Sequence, residues 1–373
     1  MDGIDQDLLR SVAPAGLGWD DRWAAAFAPF AANGRRPARV IATHRDVWIV
    51  ATAAGDRDAT ISGRLRHGAL RPADLPAVGD WVAADFDPSV AGPAVISAVL
   101  PRRSAFRRAA DDGTISSEQV LASNVDTALV VTGLDGDFNL RRLERYLAVA
   151  WSGGATPVIL LNKTDVAADP AGFRVAAEAI APGVDVRLIA ALTGDGVEGL
   201  AGDHLAPGRT AVVLGSSGAG KSTLVNALLG EDRMRTSSVR ADDGRGRHTT
   251  THRELLRLPG GAQLIDTPGI RSLGVAGAED GLAPTFGDVT ELAASCRFAD
   301  CRHELEPGCE VRAALADGRL SADRLASHRK LEREAAHVAR GGDRLLREAA
   351  RRRWKVIHTS VRDHMERKYG SER

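Results

Sequence analysis

Cysteine is scarce in this 373-residue chain: there are three, and all fall between positions 296 and 309. Three thiols bunched in one stretch do not make the disulfide framework of a secreted domain. An excess of one charge sign is also missing, since 49 basic residues face 49 acidic ones. No overall basic field therefore argues for indiscriminate nucleic-acid binding. Long apolar runs are absent too. The nearest, WAAAFAPFAA (Trp23 to Ala32), is short, contains Pro29 and follows an acidic leader, whereas a bilayer span needs roughly 18 to 20 apolar residues. The expectation is a cytoplasmic protein with no secretory signal and no membrane partner.

What the chain does have is an apolar share of 44%, ample for two or three packed cores. Residues 1–37 form an Ala-rich extension in which no chemistry is legible. Over 38–104 five short β-branched runs, ARVIATH, DVWIVATA, DATISGRL, GDWVAADF and AVISAVL, predict a small β-barrel of the oligonucleotide-binding (OB) type, an RNA surface or a packing module. PRRSAFRR (Pro101 to Arg108) follows as a basic linker whose four arginines either touch phosphate or are solvated. Over 105–274 buried-strand runs alternate with amphipathic helices, which predicts a mostly parallel α/β sheet with ligands at the carboxyl ends of its strands. RELLRL, Pro-Gly-Gly and AQLID read as an antiparallel hairpin on that sheet. The remainder, 275–373, is helical and ends in a basic tail with RRRWK around Trp354, either a solvated face or an RNA contact.

The strongest motif is GSSGAGKST, between an apolar strand and an apolar-periodic helix. Gly215, Ser216, Ser217, Gly218, Ala219, Gly220, Lys221, Ser222 and Thr223 have the spacing of a phosphate loop, whose backbone N–H groups cradle an anion at a helix N-terminus. Lys221 would reach the β and γ phosphates as a catalytic group, and the Ser222 hydroxyl would coordinate Mg²⁺. The base is read at NKTD: Asn162, Lys163, Thr164 and Asp165. A carboxylate there accepts two hydrogen bonds from guanine that adenine cannot offer, and the mismatch costs on the order of several kcal/mol. In IDTPG, Asp266 is placed to hold Mg²⁺ and the Gly269 N–H to touch the γ phosphate. Thr250, in the run His248 to Thr251, would complete the Mg²⁺ shell. Ile270 stands where many GTPases carry the glutamine that orients water, so slow intrinsic turnover is expected. His248 either replaces that glutamine or is a solvated loop histidine.

The order of these motifs is unusual. Base recognition at 162–165 and the expected base-side loop, AALTG at Ala190 to Gly194, precede the phosphate loop. This is a circular permutation, tolerable because loops carry the site while the sheet stays the same. It turns the segment after DTPG into the tether to the C-terminal part. There, Cys296, Cys301, His303 and Cys309 offer three thiolates and one imidazole, a closed tetrahedral set for Zn²⁺ with no position for a catalytic water.

Taken together, the permuted order, GSSGAGKST, GRHTTT, DTPG and the Cys/His cluster resemble the ribosome small subunit-dependent GTPase A family over about residues 38 to 370. The resemblance implies an OB-type barrel, a circularly permuted P-loop GTPase domain and a C-terminal helical zinc domain, all facing the small (30S) ribosomal subunit and its 16S rRNA. It implies GTP/GDP with Mg²⁺, one structural Zn²⁺ and a monomer acting late in 30S assembly and released after hydrolysis. His248 corresponds to the family's loop histidine, and Ala190 departs from the serine common in related base-side loops. The alternatives are a GTP-gated RNA-binding protein in which hydrolysis is incidental and an ATP-dependent assembly factor.

Overall fold

The computed structural model describes residues 11–44, 46–108, 118–233, 253–266 and 279–337. Thirteen strands are found among them, eleven in one continuous sheet. Its first part is a closed barrel of β1 (Arg36–His44), β2 (Val47–Thr52), β3 (Gly55–Ile61), β4 (Trp81–Asp85) and β5 (Ala94–Val99). The order is β1-β2-β3-β5-β4, and β4 returns to pair with β1. Alternate residues such as Val40, Val50, Val82 and Ile96 fill the interior, as a closed small barrel requires. The run predicted as a longer third strand ends at Ile61, because the Ser62 hydroxyl accepts the Leu65 N–H and caps the short helix Gly63–Gly68.

The second part is the nucleotide-type sheet, in the order β10-β9-β8-β11-β13-β12. Here β8 is Thr127–Gly133, β9 Thr156–Asn162, β10 Asp185–Leu188 and β11 Thr210–Gly215, while the hairpin strands are β12 Arg253–Arg257 and β13 Gln263–Asp266. All neighbours run parallel except β12 with β13. Every residue of β8 is buried, the expected texture of a parallel strand covered on both faces.

Barrel and sheet are joined through β1, where Ala42 and Thr43 lie antiparallel to Glu254 and Arg253 of β12. In the linker, read as phosphate-bound or solvated, Arg107 is exposed, whereas Arg102 and Arg103 are bound within the protein. Arg102 is committed to the buried Asp80 at 2.6 and 2.8 Å and to the carbonyls of Ala73 and Leu75. Ala105–Arg108 is itself a strand, β6, paired with β7 (Gln119–Ser123). The helix Asp21–Ala31, capped by Asp20, packs Trp23 and Phe27 into the core that contains barrel residue Trp81. Residues 11–37 of the extension are therefore part of the fold rather than an appendage.

Of the C-terminal helices, Glu279–Thr285, Gly287–Ala294, Glu310–Ala316 and one over 322–337, the first packs along the helix Leu140–Ser152 and the last is paired to it through Glu334 and Arg145. A Cβ at Gly281 would lie 2.1 Å from the Ala148 carbonyl oxygen, so only glycine permits this approach. Arg324 closes the joint. Its guanidinium meets Glu144 at 2.9 Å, Asp288 at 2.9 Å and the Thr285 carbonyl at 2.8 Å, and it lies over the Phe286 ring. Glu144 is wholly buried. Arg141 also pairs with Glu144, so removing Arg324 leaves that buried carboxylate with one cation instead of two, at a cost of about 1–3 kcal/mol. Arg324→Ala should lower the urea midpoint by that equivalent, while the double change Glu144→Leu with Arg324→Leu should recover much of it.

Candidate nucleotide and metal sites

Four loops meet at the carboxyl ends of β8, β9, β10 and β11, the place where open α/β sheets hold ligands. Asn162, the last residue of β9 and almost fully buried, connects three of them. Its Nδ2 donates to the Ala219 carbonyl of the phosphate loop at 2.9 Å, and its Oδ1 accepts the Ala191 N–H of the base-side loop at 2.9 Å. Thr164 ties the same corner to β10, both its N–H and its hydroxyl donating to the Ile189 carbonyl. The sequence-distant NKTD and glycine-lysine segments are thus one site.

The phosphate loop runs from Gly215 at the end of β11 to Gly220, which precedes the helix Lys221–Leu229. Gly220 has φ of 92°, a region that costs residues with a Cβ. A Cβ there would also stand 2.1 Å from Asn162 Nδ2, and one at Gly215 would stand 2.3 Å from the Val131 carbonyl oxygen. The loop can therefore wrap an anion only with these glycines in place. Lys221 Nζ donates to the loop carbonyls of Gly215, at 2.9 Å, and Ser216, the posture from which it can reach phosphate oxygens at the helix N-terminus. Ser222 and Thr223 begin that helix, and Ser217 and Gly218 are exposed at the loop's crest.

Asp165 is exposed on the turn after Thr164, so its desolvation would come only with the base. Asp266 ends β13, which lies between β11 and β12, and is half-buried. His248, Thr250, Gly269 and Ile270 lie outside the described residues, as does Trp354.

Two carboxylates in this site escaped the motif reading. In the loop after β8, Asp135 binds Lys163 Nζ, and Asp137 accepts the Ser216 hydroxyl and Arg142. Their signal in the sequence was GLDGD at the end of a buried strand, the position where ligand loops emerge.

The four predicted metal ligands come together as well. Sγ of Cys296 and of Cys309 each lie 3.5 Å from His303 Nδ1 and 3.9 Å from one another, and all four donor atoms fall within 4.8 Å. Bonds of about 2.3 Å to sulfur and 2.0 Å to nitrogen in a tetrahedron give edges of roughly 3.5 to 3.8 Å, so the set fits a metal ion of zinc's size. His303 holds φ of 59°, and its carbonyl accepts Arg329 Nη2 at 3.0 Å. Burial opposes ionisation of Cys296, but backbone N–H groups of Val311 and Glu310 at the next helix outweigh it and bring the thiol below its ordinary value. Burial, with Cys309 and Cys296 beside it, pushes the Cys301 thiol up to about 11. One thiolate is thus favoured and the next suppressed until a cation balances them. The Glu306 carboxylate caps the adjacent turn, and its own backbone N–H together with those of Arg302, Glu304 and Leu305 draws it down to about 2.

A phosphate loop tied to an NKxD corner, in reversed sequence order on a mostly parallel sheet, defines a circularly permuted P-loop GTPase. The RsgA GTPase family model matches residues 99–276. "Small ribosomal subunit biogenesis GTPase RsgA" of Opitutus terrae is 52% identical over 93% of this chain and 96% of its own length, and the Streptomyces coelicolor protein of the same name is 44% identical over 97% of each. The crystal structure of YjeQ from Thermotoga maritima matches with a TM-score of 0.59 at 25% identity, over 80% of this chain and 97% of that one. The chain belongs to the RsgA GTPase family.

Gly220→Ala should weaken GTP binding by at least roughly 100-fold, because the added methyl collides with Asn162 in a backbone region already strained for alanine. Titration with a fluorescent GDP analogue reads this directly, and circular dichroism should show the fold retained.

Proposed function

We propose that this GTPase works on the small ribosomal subunit as a late maturation factor, binding its 16S rRNA as a monomer with GTP and leaving after hydrolysis. The observation that carries this reading is the bonding of Asn162 to both the phosphate loop and the base-side loop, in a chain whose full-length relatives carry the subunit in their names. Four functional parts follow from the sequence boundaries: the extension 1–37, the barrel 38–104, the GTPase part 105–274 and the zinc part 275–373.

In this reading Asp165 accepts the two guanine donors, with Asn162, Lys163 and Thr164 holding its turn against the phosphate loop. Gly215 to Thr223 cradle the phosphates, and Lys221 shifts from its loop carbonyls onto the β and γ oxygens. Ser222 and Asp266, with Thr250, hold Mg²⁺, which supplies charge neutralisation between the phosphates. Gly269 senses the γ phosphate. His248 positions the attacking water once the subunit orders its loop, since Ile270 cannot form a hydrogen bond. Cys296, Cys301, His303 and Cys309 hold Zn²⁺, which supplies cross-linking to a small helical part rather than catalysis. The described residues contain no helix long and apolar enough to cross a membrane, and the reading places the protein in the cytoplasm.

The deciding test is GTP turnover with and without purified small subunits. The expected result is slow intrinsic hydrolysis and stimulation of at least roughly 10-fold, in the range that partner-supplied ordering gives other GTPases. Turnover unaffected by subunits would favour a GTP-gated binder in which hydrolysis is incidental. Asp165→Asn should exchange the guanine preference for xanthine, read by competition between GTP and XTP. Elemental analysis should find one zinc per chain, lost in Cys309→Ser together with helical content.

A further inference from the structure

A second cavity, of about 400 Å³, lies at the opposite end of the sheet from the phosphate loop. Its walls come from all three bodies that meet there. Trp19, Asp20 and Trp23 belong to the N-terminal segment, Arg39 and Trp81 to the barrel, and Arg103 to the linker. Asp126, Arg209 and Thr210 belong to the amino ends of β8 and β11. The volume lies within the roughly 300–1,000 Å³ of small-molecule pockets.

Three features define what it can take. The first is aromatic. Trp19 meets the Trp81 ring edge-on at 4.8 Å, Trp23 lies 6.3 Å from Trp81, and the Arg103 guanidinium stacks over Trp23 at 4.4 Å. Trp23 and Trp81 are buried, whereas Trp19 remains half-exposed at the mouth.

The second is charge. Arg39 is only 2% exposed, and its guanidinium bonds the carbonyls of Gly79 and Leu17, Gln263 Oε1 and Thr210 Oγ1, with no carboxylate at ion-pair distance among the described residues. A buried cation without a directly bonded anion is costly. Asp20 is already engaged by Arg103 at 2.5 Å, and Asp126 by Arg209 at 3.2 Å and the Thr210 N–H at 2.8 Å. Three guanidiniums thus face two carboxylates, both of them occupied.

The third is a pair of unmet donors. Among the described residues the Trp19 indole N–H and the Arg103 Nε–H are shielded from solvent and have no acceptor. Buried donors are normally satisfied.

Aromatic faces, surplus positive charge and unsatisfied donors in one concavity match a nucleotide unit. We propose that this cavity binds one nucleotide, its base against Trp19 and the Arg103 plane and its phosphate toward Arg39 and Arg209, as a site separate from the GTP site. Because the N-terminal segment, barrel and GTPase sheet each supply a wall, an occupant would clamp the three together. The proposal does not depend on the small-subunit role.

The test uses the full-length protein with its GTP site saturated by GDP and Mg²⁺. Isothermal titration with AMP, a base that the NKxD corner rejects, should give one site per chain. Inorganic phosphate should bind at least roughly tenfold more weakly, as expected when base stacking contributes. Arg209→Ala, on a 62% exposed side chain, and Trp19→Leu should each weaken AMP at least roughly tenfold. Arg209→Ala should leave basal GTP turnover unchanged. A single-stranded adenine hexanucleotide separates the sources: tighter binding than AMP assigns the cavity to an RNA residue, and weaker binding to a free nucleotide. No heat with either ligand at millimolar concentration, phosphate binding as tightly as AMP, or AMP binding indifferent to Arg209→Ala would each overturn the proposal.

Discussion

The amide of Asn162 is the constraint on which the nucleotide site depends. One side chain donates to the phosphate loop and accepts from the base-side loop, so a base-reading corner and a phosphate cradle 50 residues further along are held at fixed separation. Such a bond counts for more than its intrinsic energy. It is buried, and removing either partner leaves a polar group unsatisfied. It also dictates a residue elsewhere: with Nδ2 only 2.1 Å from where a Cβ would stand, position 220 admits only glycine.

That arrangement explains why reversing the motif order is harmless to the site. The phosphate-loop strand β11 sits between β8 and β13, and β8 lies next to β9, which carries NKTD. Neighbourhood in the sheet, not order in the chain, brings the loops together. What permutation changes is the attachment of the rest. The hairpin β12–β13 faces the barrel through β1, and the chain leaving β13 leads to helices that return to grip Leu140–Ser152 through Arg324 and Glu144. That same helix begins just after the loop whose Asp135 and Asp137 touch Lys163 and Ser216. A short path of packed and hydrogen-bonded groups therefore links the nucleotide corner to the Cys/His part.

The Cys/His part illustrates the other kind of stabilisation available to a small unit. Its core is a modest cluster around Phe286, Val289, Val311 and Leu331, and its four ligand atoms gather within 4.8 Å at one edge. The Cys296 thiol is eased toward the thiolate while Cys301 beside it is held protonated, so the geometry is one that a divalent cation completes.

Motifs whose chemistry depends on local spacing were legible in the chain itself. Glycines at 215 and 220, the lysine and serine after them, NKTD on a strand end, and the Cys/His set each announce their ligand because neighbouring residues in one turn must present specific atoms. The five-strand barrel and the hairpin were legible from alternation and turn residues. Legibility failed where a residue's role is set by something far away. Arg102 and Arg103 left phosphate contact and solvation equally open until the fold placed Asp80 and Asp20 against them. Asp137 belonged to no motif, and its role emerged only when β8 was set beside β11. Arg39, in an ordinary strand, becomes the buried cation where three bodies meet only after the barrel docks on the sheet. Local order in the sequence determined which atoms can bind phosphate, guanine and metal. Burial and partnership of charge, which depend on contacts between distant segments, were decided by the tertiary structure alone.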